Sequence, residues 1–157
     1  MKKTLIALVL VCLIVSLGAA QSTAPAPAPA SASEAPDIVM NGFKALETKG
    51  YIPALDVWTQ NSVLGLDKNA IANLNKFFLV KTTTGYGGTF TGSDIIRTVN
   101  LSQSTEMVYA VATYQHEELF MSFTCFRPRP TDKWVVNTIA MNNDPSKILP
   151  TNILGGM

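Results

Sequence analysis

The side chains of this sequence that could bind or react are few, and each sits among neighbours that suggest a plainer role. Arg97 falls in the same strand alternation as Ile95, Val99 and Leu101, and Asn137 in that of Val135 and Ile139. An arginine and an amide on an otherwise apolar concave face would orient an anionic or carbonyl-bearing ligand. Against this, Arg97 could pair with Asp56 or Glu47, or carry its head to the rim. Asp56, close to Trp58 on a helix, is the best acid for isomerase or hydratase chemistry, which needs an enclosed carboxylate. Arg97, Asn137, Asp56 and Trp58 are therefore the candidate ligand-binding set. His116 stands beside Glu117 and Glu118 at an expected hairpin tip. A general base needs a held position near substrate, which a tip does not provide. Adjacent strand residues also point to opposite faces, so no metal cluster is expected there. Cys125 has no histidine at a recognisable motif spacing, and no Gly-x-Ser-x-Gly elbow is present. No catalytic residue, metal site or cofactor is assigned.

Composition narrows the classes further. The chain has 157 residues, 47% of them hydrophobic and 15% charged, with a formal net charge of +1. That suits one domain, or one domain with a tail. It lacks the basic stripe of a nucleic-acid protein and is too apolar for a disordered one. The N-terminus reads Met1-Lys2-Lys3, then an apolar run from Leu5 to Leu17, then Gly18-Ala19-Ala20. This is the pattern of a secretory signal peptide over residues 1–20, with small residues where a signal peptidase needs them. The alternative is an uncleaved membrane anchor, for which Thr4–Ala20 is short. Cleavage removes Lys2 and Lys3 and no acid. Twelve basic residues become ten against eleven acids, and +1 becomes −1. It also leaves Cys125 as the one cysteine, so an exported chain, periplasmic or secreted, would carry no internal disulfide. Burial of that thiol in the run Leu119–Phe126 is expected. Residues 21–36, QSTAPAPAPASASEAP, form an Ala/Pro-rich linker of extended, semi-rigid character.

The elements that must position the candidates follow from periodicity. Asp37 is an expected N-cap for a helix ending at Gly50, with Gly42 inside it hinting at close packing. Pro53 suits the first turn of a second helix, carrying Ala54, Leu55, Trp58 and Ser62 and stopping near Gly65. Asp67 caps a third, with Ile71, Leu74, Phe77 and Phe78 as its apolar stripe. The loop Thr82–Gly92 is glycine-rich but lacks the lysine and spacing of a phosphate-binding loop. The period then changes to two. Strands are expected over Asp94–Ser102, Glu106–Tyr114, Glu118–Arg127 and Lys133–Asn142. Helices followed by strands, with no alternation, predict an α+β fold: N-terminal helices packed on a curved antiparallel sheet of about four strands, in a single domain over 37–157 with a short C-terminal tail.

With Gln115 opposite Glu118 and Phe126 opposite Trp134, side chains sort onto two faces. One carries Val108, Ala110, Ala112, Leu119, Met121, Phe123, Cys125, Val135, Ile139 and Met141, and should pack on the helices. The other carries Tyr109, Val111, Phe120, Phe126, Trp134 and Val136 among hydroxyl residues. That mixture is too apolar for a solvated face and reads as an interface, with Tyr109, Phe120, Phe126 and Trp134 at its centre.

The stretch SQSTEMVYAVATYQHEELFMSFTCFRPRPTDKWVVNTIAMNNDPS resembles the last strands of the nuclear-transport-factor-2-like superfamily, a cystatin-like cone in which a curved sheet wraps N-terminal helices. The resemblance is architectural and covers about Asp37–Ser146. It implies a cone that binds small apolar molecules, catalyses isomerisation or dehydration, or dimerises through its outer sheet face. The segment Leu64–Asp67 departs from it, being too short for the hairpin often found between helices two and three.

Together these readings favour an exported, non-enzymatic binding or interaction domain that dimerises through the outer sheet face, or meets another exported protein there. The alternatives are a small-ligand-binding cone using Arg97 and Asn137 for an apolar or anionic ligand, and an isomerase-type or hydratase-type enzyme using Asp56. A nucleic acid is not an expected partner, and a membrane is one only if the N-terminal segment stays uncleaved. Cleavage has a direct readout: N-terminal sequencing of the exported chain should begin at Gln21, and a start at Met1 would indicate the anchor.

Overall fold

The computed structural model describes residues 35–83 and 87–155, so the expected signal peptide and nearly all of the linker lie outside the described residues. Helix α1, Ala35–Lys49, starts two residues before the expected cap, and Asp37 sits in its first turn, where a negative charge favours the helix's positive end. Its buried residues Val39, Gly42, Phe43 and Leu46 follow i, i+3, i+4, i+7 spacing and make one apolar stripe. Gly50, with φ 88°, ends α1 and turns the chain directly into α2, Tyr51–Thr59. A left-handed φ of this kind favours glycine.

The second helix does not reach Gly65. It ends at Thr59 because Gln60 is extended and Asn61 takes a left-handed φ of 58°. Ser62, expected inside the helix, instead opens a separate short helix, α3 (Val63–Leu66), by accepting from the Gly65 N–H at 3.3 Å. Asp67 caps α4, Lys68–Thr83, as expected: its carboxylate accepts from the N–H groups of Asn69 and Ala70 at 2.9 and 3.0 Å.

Four strands then pair in chain order as an antiparallel meander: β1 Phe90–Ser102, β2 Thr105–Tyr114, β3 Glu118–Phe126 and β4 Val135–Asn142. The fold is α+β, as the order of periodicities implied. The β2–β3 register pairs Thr113 with Glu118, two residues away from the expected pairing of Gln115 with Glu118. A shift of two keeps every side chain on its face, whereas a shift of one would invert them. Val108, Ala110, Ala112, Leu119, Met121, Phe123 and Cys125 are accordingly buried together against the helices.

Trp58 joins these layers. It is 1% exposed, and its indole N–H donates to the Val39 carbonyl oxygen at 2.9 Å. Its ring meets Phe43 of α1 at 5.1 Å, Phe123 of β3 at 5.3 Å and Phe78 of α4 at 6.0 Å between centroids. Such edge and tilted geometries suit the ring quadrupoles. Helix α1 can approach the indole only because residue 42 has no side chain: a Cβ there would overlap Trp58 itself. Helix propensity alone would have Gly42→Ala stabilise by about 1 kcal/mol. The packing predicts the opposite sign, a loss of about 2–3 kcal/mol from overpacking, read as a lower urea midpoint at an unchanged slope.

Candidate functional site

Two β-bulges redistribute the candidate ligand residues. In β1 the register runs Ile95 to Ala110 and then Arg97 to Tyr109, leaving Ile96 as an extra residue. Beyond it the alternation is inverted. Ile95 packs in the helix-side core, while Ile96 and Val99 pack in a second apolar cluster on the opposite face. Arg97, expected with Ile95 over the inner face, is exposed and stands opposite Tyr109 on the outer one. In β4 the register passes from Thr124–Thr138 to Cys125–Val136, and Asn137 is the extra residue. Val136 and Ile139, three apart, therefore both join the helix-side core. Strict alternation, which a bulge suspends, had placed Val136 outward and Val135 inward. Arg97 is thus on the outer face and Asn137 is the unpaired residue of a bulge, so the register does not bring the two together over the inner face.

Asp56 is exposed on the solvent side of α2. It borders an open depression of about 650 Å³ with Thr59, Gln60, Ser62, Val63, Gly65 and Leu66, outside the helix–sheet core. The enclosed acid of an isomerase site is not built from it. Trp58 is a core residue with its N–H satisfied, and it does not line the depression beside Asp56. His116 is exposed in the β2–β3 turn, where its backbone N–H donates to the Gly87 carbonyl at 3.1 Å.

One inward carboxylate escaped the sequence reading. Glu106 is 7% exposed and lies opposite Cys125 at the end of β2. It shares its parity with Val108, Ala110 and Ala112, so strand alternation is the signal that places it inside.

A more apolar opening lies on the helix side, at the β4 edge. Leu64 of α3, Ala70, Asn73, Leu74 and Phe77 of α4, and Thr138, Ile139 and Met141 of β4 line a groove of about 330 Å³. A second depression of about 300 Å³ continues from it along α4, sharing Asn73 and Phe77 and adding Lys76 and Val80. Large apolar side chains stand exposed on the same helices: Val63 and Leu66 of α3 at 66% and 81%, and Leu79 and Val80 of α4 at 45% each.

The outer sheet face is different. Tyr109 and Phe120 lie on it as expected, but Leu149 and Ile153 of the C-terminal segment cover them. That segment comprises a 3-10 turn, Pro145–Lys147, and a short helix α5, Thr151–Leu154. Phe126 stays half-buried opposite Thr105 and Val135. Trp134, expected on the outer face, is 2% exposed in the helix-side core, with the Arg127 guanidinium 4.5 Å from its ring centroid. The bulge that turns Val136 inward accounts for the changed face of this part of the chain.

Burial raises the protonated state of three groups. The Tyr109 phenol is pushed up by burial alone. Tyr114 is pushed up to about 12 by burial and by the Glu117 charge. The Cys125 thiol is pushed up to about 12 by burial and by the Glu106 charge. At the root of the C-terminal segment, hydrogen bonds from the Ser146 side chain and backbone hold the Asp144 carboxyl below its ordinary value. Among the described residues, no group of three or more histidines, cysteines and acids is placed to hold a metal ion.

Comparison with protein families, with curated proteins and with solved structures gives no match to this chain.

A thiol held neutral is a poor nucleophile. Cys125 should resist a disulfide reagent at pH 8 in the folded chain and react once urea unfolds it. Because folding raises the Cys125 and Tyr114 values, from 9.0 and 10.0 to about 12, their contribution to stability is complete below pH 9. It should fade between pH 9 and 12, as the unfolded chain sheds protons that the folded chain keeps. Urea midpoints across that range measure the effect.

Proposed function

We propose that this chain is an exported, non-enzymatic binding domain that takes a small apolar ligand in the groove between α3, α4 and β4. The observation that carries the reading is the groove itself. Leu64, Leu74, Phe77, Ile139 and Met141 present apolar surface to an opening of about 330 Å³, and Asn73 and Thr138 supply the few polar groups at its wall. A mostly apolar concavity with a small number of polar groups is the ordinary construction of a small-molecule site, and its volume falls at the lower end of the usual range. The exposed Val63, Leu66, Leu79 and Val80 flank it. Asp56 in solvent supports a binding rather than an enzymatic role.

This reading moves the ligand away from Arg97, which stands opposite Tyr109 on the outer face, and from Asn137, the extra residue of the β4 bulge. It keeps the small-ligand class that the superfamily resemblance implies. The order of helices followed by an antiparallel meander supports that kinship as well.

A fluorescent naphthylamine probe titrated into the folded chain tests the proposal. Leu74→Trp, which fills the groove from a half-buried position, should weaken probe binding at least tenfold, equivalent to about 1.4 kcal/mol. Arg97→Ala should leave it unchanged. Equal binding by the wild type and Leu74→Trp would reject the groove as the site, and a loss on Arg97→Ala would return the ligand to the outer face.

A further inference from the structure

The C-terminal segment is fastened to the sheet by side chains alone. Among the described residues its backbone hydrogen bonds run within the segment or to Asp144 at its root, where the Lys147 N–H donates to the Asp144 carbonyl at 3.1 Å. Leu149 N–H donates to the Pro145 carbonyl at 2.7 Å, Ile153 and Leu154 to the Pro150 carbonyl at 2.9 and 3.2 Å, and Gly155 to the Thr151 carbonyl at 3.0 Å. Asp144 caps the 3-10 turn by accepting from the Ser146 N–H at 2.9 Å. Lifting the segment away therefore leaves none of its backbone bonds to the sheet broken, which removes a major cost of detaching a chain segment. What holds it is the burial of Leu149 and Ile153, with Ile148 and Leu154 partly buried beside them.

The surface beneath is matched to it. Tyr109 and Phe120 receive the two anchors, and Ile96, Val99, Met107 and Val111 surround them. A patch of this kind does not stay uncovered in water, so an absent strap must be replaced. Topology allows the replacement. The segment leaves from β4, an edge strand, and crosses the face toward β1 and β2, so it can swing clear without threading the chain. Its root is held in place: the Asn143 side-chain amide donates to the Glu117 carboxylate at 2.8 Å, and the Asp144 N–H to the Asn142 side-chain oxygen at 2.9 Å. Asp144 caps the 3-10 turn and moves with it, so the connection to β4, which ends at Asn142, is the two-residue stretch Asn143–Asp144.

We propose that residues 145–154 are an exchangeable strap, and that two copies of this chain associate by docking each strap on the partner copy's outer sheet face. The occupant is the same segment in either case, so closed and exchanged states share one set of strap–face contacts. Concentration and the short connection at Asn143–Asp144 decide between them, since a short hinge invites exchange. This inference is independent of the groove.

Two complementary variants of the full chain test it. The first carries Leu149→Asp and Ile153→Asp, so its strap cannot dock and its face is open. The second carries Tyr109→Asp and Phe120→Asp, so its face cannot accept a strap and its own strap is free. Light scattering behind size exclusion should show that the second is a monomer alone and that the equimolar mixture forms a heterodimer. A labelled peptide of residues 144–157 should also bind the first variant, and the same peptide carrying the two Asp substitutions at least tenfold more weakly. A mixture that stays monomeric while both variants keep their near-ultraviolet circular dichroism would overturn the proposal. Loss of that signal in the first variant would overturn it too, because the segment would then be an integral part of the core. Should only the second variant unfold, peptide binding to the first decides: saturable binding supports exchange, and its absence refutes it.

Discussion

The close approach of α1 to Trp58 is the constraint from which the rest of the architecture follows. One indole reaches into α1 through its hydrogen bond to Val39, and into β3 and α4 through Phe123 and Phe78. The fit depends on a single missing side chain at Gly42. Interiors are packed at the density of organic crystals, so a lock of this kind admits one relative placement of its parts. Once α1 and α2 are set by Trp58, the Gly50 turn has one geometry to adopt. The sheet must then present its continuous apolar face, Val108 to Cys125, toward them.

The second determinant is where alternation breaks. A sheet covered by helices on one side needs only one apolar face, and this sheet has two. The bulges at Ile96 and Asn137 sort residues between them: Ile95, Val136 and Ile139 go to the helix side, and Ile96 and Val99 to the far side. The C-terminal segment then caps the far side, so the aromatic outer surface has an occupant from its own chain. An excess of apolar surface that reads as an intermolecular interface can equally be an intramolecular one, because the hydrophobic effect is non-directional and does not distinguish the source of the covering atoms.

What stays open is the helix side at the β4 edge. Helix α4 buries Phe78 fully but leaves Leu74 and Phe77 half-covered and Leu79 and Val80 exposed. The short α3 accounts for part of this. Four residues bury no side chain of their own, and Val63 and Leu66 are left in solvent. The proposed binding role rests on this incomplete closure, while the reactive-looking groups are placed for other ends. The Cys125 thiol is buried and held neutral, Asp56 is solvated, and Arg97 stands over the outer face.

The α+β class, the order of helices before strands, the Asp67 cap, the Gly50 stop and the inward faces of β2 and β3 were all legible in the sequence. These are local: a period of 3.6 or 2, a capping carboxylate or a glycine at a helix end each acts within a few residues. Even a hairpin register read two residues out left β2 and β3 on their proper faces, because the side-chain period is two. The faces taken by Arg97, Trp134 and Val136, the end of α2 at Thr59 and the cover over Tyr109 and Phe120 emerge only in the folded chain. A bulge adds one residue to one strand and inverts everything beyond it, and its position answers to how both faces pack at once. The strap's docking joins residues forty positions and more apart in the chain, from Tyr109 to Leu149 and Ile153. No local pattern records such a pairing; it appears only when the folded sheet presents a surface for the segment to cover.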